Sequence, residues 1–136
     1  MPEVTPTPKA AKLKKSSKRT DRDECDRLIS LIIRKRDGRC MRCGKNDGRL
    51  ECSHIIPREK AVLRCHPLNL KTLCHACHRW WHAYSTGMVW IVESGVRTAA
   101  EIEWLLAESR VTGVKAPDWH EMRKLLKIEA KACGAI

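Results

Sequence analysis

Residues 40–82 read CMRCGKNDGRLECSHIIPREKAVLRCHPLNLKTLCHACHRWWH, and two Cys-x-x-Cys pairs, Cys40/Cys43 and Cys74/Cys77, bracket the stretch. One such turn brings two thiolates within reach of a single tetrahedral ion, and the second pair completes a four-sulfur shell. Gly44 suits the tight turn that follows such a knuckle. The competing reading is disulfides, which need an oxidising compartment. The N-terminus is basic and Pro-rich and carries no apolar signal run. The expectation is therefore a reducing cytoplasm and a structural Zn²⁺ without an open coordination position. His54, Asn69, His78 and His82 lie between and just after the cysteines. His78 and His82 are four residues apart, which on a helix sets two imidazoles on one face, as a shared ion requires.

These residues resemble the HNH endonucleases, the ββα-metal nucleases, in the subgroup braced by two Cys-x-x-Cys pairs. The resemblance covers residues 36–84 and rests on SHIIPR at 53–58, PLNL at 67–70 and LCHACHRWWH at 73–82. It implies an α+β fold: a small zinc-stabilised ββα-metal core with an N-terminal helix and C-terminal helices. It implies that His54 is the general base. Asn69 would pin the loop opposite the base or join the metal. His78 and His82 would hold a catalytic divalent cation, Mg²⁺ or Mn²⁺, although imidazole also accepts Zn²⁺ or Ni²⁺. The chain departs from the family at Ser53, where the residue before the base is usually Asp or His and binds the metal. Ser53 could hold a metal-bound water, Glu51 could reach in from the same strand face, or His78, His82 and a DNA phosphate could suffice. The fourth alternative is weak or absent catalysis. The order of knuckle, ECSHIIPR, RCHPLN and second knuckle also resembles phage NinG-type recombination nucleases, which act on branched or single-stranded DNA. In that group a small residue before the base is common.

The chain has 136 residues, a net charge of +11, no Phe, one Tyr and five Trp. So basic a protein usually meets a polyanion, and its binding weakens steeply with salt. DNA, whether duplex, single-stranded or branched, is the expected partner. No stretch is apolar enough to span a membrane. Four cysteines remain beyond the proposed knot. Cys25, on a helix, and Cys52, on a strand, read as buried thiols; Cys65 with His66 is an alternative ligand pair, and Cys133 is left unassigned.

Three parts are expected: a disordered basic arm at 1–20, the zinc-braced core with its helix at 21–86, and a helical appendage at 87–136. Asp21 caps a helix whose apolar stripe is Cys25, Leu28, Ile29, Ile32 and Ile33. Residues 49–56 alternate as a strand, and residues 61–65 read as a basic loop or a short second strand. Arg58 and Arg64 are candidate phosphate forks. A helix is expected at 73–84; Trp80 and Trp81 cannot both face the core. Residues 88–92 are either strand or helix. Thr98 with Glu101 forms a capping box, and Asp118 caps a last helix. The two final helices leave room for a homodimer. Two further classes stand beside the nuclease: a non-catalytic zinc module that binds nucleic acid, and an adaptor that docks proteins. The adaptor gives no reason for the charge.

Overall fold

The computed structural model describes residues 17–136. The basic arm read at 1–20 lies outside the described residues up to 16. From Ser17 the chain is helical, and α1 spans Ser17–Asp37. Asp21 is thus inside the helix and not its cap. Its carboxylate instead faces Arg123 at 3.2 Å and His120 at 3.4 Å. Strand β1 (Leu50–His54) pairs antiparallel with β2 (Leu70–Cys74). Four helices follow: α2 (His75–Ala83), α3 (Gly87–Glu93), α4 (Ala99–Arg110) and α5 (Trp119–Ala132). Two strands and the helix after them stand in ββα order, in a mixed α+β fold.

The second strand differs from the sequence expectation. Residues Ala61–Leu63 form a 3₁₀ turn, and a second such turn spans Pro67–Asn69. The pairing segment is LKTLC, buried at all five positions. Burial on both faces removes the polar alternation that marks a half-exposed strand. The register sets Ser53 opposite Lys71 and His54 opposite Leu70. Helix α2 accordingly begins two residues later than expected, with Cys74 as its cap: the Cys74 sulfur accepts the backbone N–H of Cys77.

The apolar stripe of α1 is buried as the three-four spacing requires, and it packs on Cys65, Leu70, Trp119, Leu126 and Ala130. A second cluster joins Ile55, Ile56 and Leu63 to Ile91, Ile102 and Leu105. Both clusters draw on residues beyond position 87, so the C-terminal helices complete the core around the strand pair. Their caps follow the sequence. Thr98 and Glu101 close a reciprocal capping box, and the Asp118 carboxylate accepts from the N–H groups of His120 and Glu121. The run at 88–92 is helical. Cys65, whose thiol burial pushes up to about 12, is a core residue.

Trp80 and Trp81 are both half-buried, and both meet Trp90 of α3 edge-on, at 5.8 and 6.4 Å between ring centroids. Gly87 makes this fit. A Cβ there would lie 2.6 Å from the Trp81 ring. Gly87→Ala is expected to lower stability by about 1–3 kcal/mol and to alter tryptophan emission, which a denaturant titration followed by fluorescence would measure.

Candidate active site

The four cysteines meet because α2 continues directly from β2 while the first knuckle is tied to the same strand. Met41 N–H donates to the Thr72 carbonyl, and Gly44, at φ +79°, closes the knuckle by donating to Cys40. The four Sγ atoms all lie within 4.8 Å of one another. Cys43 and Cys74 are 3.7 Å apart at sulfur. A zinc tetrahedron with Zn–S near 2.3 Å has edges of about 3.8 Å, so the donor set fits the ion, and all four are free cysteines. Backbone N–H groups of Cys43 and Cys77 donate to Cys40 and Cys74 sulfur. Arg42 approaches Cys77 sulfur at 3.6 Å and lies over the Trp80 ring.

A hollow of about 440 Å³ opens beside the knot and is lined by His54, Arg58, Glu59, Trp81, His78 and His82, among others. It brings together three of the imidazoles singled out by the sequence. The Nε2 atoms of His78 and His82 are 3.1 Å apart. The other ring nitrogen of His78, Nδ1, faces a Glu51 oxygen at 3.4 Å. A carboxylate in that position fixes the ring and its tautomer, as such partners do for metal-bound histidines. The same carboxylate meets His75 Nδ1 at 3.1 Å and Arg49 at 3.0 Å. Glu51 thus stands behind His78. Among the described residues, only the four cysteines form a group of three or more His, Cys, Asp or Glu with ligand atoms this close.

His54 Nε2–H donates to the Arg64 carbonyl at 2.9 Å. That bond leaves Nδ1 as the basic nitrogen. Burial above all holds the imidazole below its ordinary 6.5, so the neutral form prevails near neutral pH. Burial and the neighbouring His82 also lower His78.

Asn69 is fully buried. Its Oδ1 accepts from Ile56 N–H at 2.7 Å, and its Nδ2 donates to the carbonyls of Ile56 and Leu63 at 3.0 Å each. It ties together the two ends of the loop that follows His54. The turn carrying Asn69 is itself gripped by two arginines: Arg97, which sequence reasoning missed, and Arg36, which reads in the sequence only as a cation at the end of α1. Arg97, nearly buried, donates to the carbonyls of Leu68 and Leu70, and Arg36 donates to those of Pro67 and Leu70. The only sequence sign of this was a lone Arg between Val96 and a helix cap.

Ser53 is fully buried, and its hydroxyl accepts from Lys71 Nζ at 3.1 Å. Lys71 is buried too, its Nζ 3.4 Å from the Trp81 ring centroid. Burial and then the Arg97 charge push the amine down to about 6. The unfolded chain thus binds more protons than the folded one between about 6 and 10.5, so this lysine makes stability rise with pH across that window. Lys71→Met is expected to raise stability by about 1 kcal/mol or more at pH 6, with a smaller gain at pH 9, as thermal melts at the two pH values would show. Arg64 is not a free phosphate fork. It forms a two-pronged pair with Asp26 of α1, at 2.8 and 2.5 Å. Arg58 is exposed at the mouth of the hollow.

No helix among the described residues is long and apolar enough to cross a membrane. No curated protein and no solved structure matches the chain. Residues 40–83 match the family model described as HNH endonuclease. That span, about a third of the chain, holds both knuckles, both strands and α2, and the match supports a nuclease-type function built on a zinc-binding cysteine cluster in a segment similar to the HNH endonucleases.

Proposed function

We propose that the protein is a divalent-cation-dependent endonuclease that hydrolyses DNA phosphodiester bonds. The observation that carries this reading is the convergence of His54, His78 and His82 on one hollow with Arg58 at its mouth. His54 Nδ1 takes the proton from the attacking water. The Arg64 carbonyl steadies the imidazolium that results, because Nε2–H already donates to it. Asn69 holds the loop that keeps His54 opposite the phosphate. Arg58 offers a planar fork to the phosphate oxygens. His78 and His82 would hold the cation, Mg²⁺ or Mn²⁺, through their converging Nε2 atoms, with Glu51 orienting His78. When bound, the ion polarises the phosphate and stabilises the leaving oxygen. The four-sulfur zinc has no open position and takes no part in the chemistry.

The test is a cleavage panel with added Mg²⁺ or Mn²⁺ across duplex, single-stranded and branched DNA and single-stranded RNA. Metal-dependent nicking of at least one DNA form supports the reading; no cut in any of them overturns it. A preference for branched or single-stranded DNA would match a recombination nuclease. The Ser53–Lys71 pair favours a second reading, a zinc-braced module that binds nucleic acid without cutting it, since the Ser53 hydroxyl is already engaged. Metal counting separates the two: one tight zinc with no second divalent site marks the binder.

A further inference from the structure

Three hollows lie in series around α2. The first, of about 440 Å³, contains His54, His78 and His82. The second, of about 410 Å³, shares His78 and His82 with it and continues to His75, Arg79 and Ala83. The third, of about 310 Å³, shares Arg79 and Ala83 with the second and ends at Trp80 and Tyr84. The shared residues make the three hollows neighbours, a broken trough that runs from the imidazole face of the helix to its opposite side. A helical turn of 3.6 residues sets His78 and Trp80 on different faces. The floor is made small by Ala76 and Ala83.

The chemistry along the trough changes in a definite order. At one end stand the imidazoles. In the middle is the exposed guanidinium of Arg79, with no hydrogen bond or ion pair to hold it among the described residues. Two carboxylates lie on the path: Glu51, already matched by His75, His78 and Arg49, and Glu59, next to Arg58 in the first hollow and away from Arg79. The far end carries two aromatic rings. Trp80 is held in place by Trp90 at its edge and Arg42 over its face, and Tyr84 is 61% exposed. Cation, then aromatic platform, is the pattern that proteins use to hold a single strand, with phosphates on the cations and a base stacked on the rings. A duplex keeps its bases inside and could not offer one to Tyr84.

We propose that this trough is the track for a single strand of DNA flanking the scissile phosphate, with Arg79 on a neighbouring phosphate and Trp80 and Tyr84 receiving an unpaired base. The inference rests on the nuclease reading and gives its substrate a form: a strand that is unpaired on one side of the cut. The overall charge of +11 fits the same occupant.

The test uses the full zinc-loaded chain and fluorescein-labelled single-stranded oligodeoxynucleotides without added Mg²⁺ or Mn²⁺, read by anisotropy. Tyr84→Ala is expected to weaken binding by roughly five- to hundredfold. Arg79→Ala is expected to lower the slope of log affinity against log salt by about one. An oligonucleotide series with one abasic site moved along it should show a single position that weakens the wild type and leaves Tyr84→Ala unmoved. Neither side chain is packed in the core, so melting temperatures should not change. If both variants bind like the wild type and no abasic position matters, the track is wrong. If His54-dependent cutting persists in that case, only the track falls; if no DNA is bound or cut at all, the nuclease reading falls with it. A preference for single-stranded RNA in the same assay would overturn the choice of DNA.

Discussion

Removing zinc from the four-cysteine knot is expected to unfold the chain. Structural zinc binding amounts to roughly 10–16 kcal/mol in small modules, as large as the roughly 5–15 kcal/mol that holds a whole domain together. The knot is not peripheral here. Cys40, Cys74 and Cys77 are buried with Leu73 in one cluster, and Trp81 and Trp90 lean on it. Cys77→Ser, or prolonged chelation of the wild type, should therefore abolish the cooperative melt and most of the helical circular dichroism. Cys133→Ser is the control. That thiol is exposed and outside the knot, so its variant should keep one bound zinc and an unchanged melt. Zinc measured by colorimetric release would give one ion per chain in the control and none in Cys77→Ser. A Cys77→Ser protein that melted like the wild type would remove the knot from the account of stability.

His54→Ala should reduce DNA cleavage by about 10²–10⁴-fold, the usual contribution of a positioned base. The fold should survive, because the side chain donates one hydrogen bond, to the Arg64 carbonyl, whose loss costs about 1 kcal/mol. The pH profile carries a further check. The base must be neutral to act, and burial holds it below 6.5. The rate should thus be flat from neutral pH upward and fall only as acid protonates the imidazole, at a pH below 6.5. Wild-type activity that dropped already between pH 8 and 7 would assign the proton transfer to another group. Single-turnover cleavage at saturating Mn²⁺ would record both effects.

The features legible in the sequence were those fixed by local chemistry. Cysteine spacing, the four-residue step from His78 to His82, the capping box at Thr98 and the apolar stripe of α1 depend on a few neighbouring residues, and all are found in the structure. The strand pair was only half legible. AVLRC at 61–65 has four apolar residues of five against three in LKTLC at 70–74, so local pattern favours the one that does not pair with β1. Tertiary packing chose LKTLC, because Cys74 must end beside Cys40. Lys71 was hidden for the same reason: a lysine between the PLNL turn and a helix expected from 73 gives no sign that it will be buried beneath Trp81. Arg64 looked like a phosphate fork because its partner, Asp26, lies 38 residues away on another element. The aim of an exposed Arg58 and a paired Arg64 is a property of the fold, which charge in a sequence does not encode.

Cys74 combines three duties: last residue of β2, cap of α2, and one of the four sulfurs. It therefore acts as a crankpin. The sulfur knot and the start of α2 share this one residue, and His78 and His82 follow one and two turns further along the same helix.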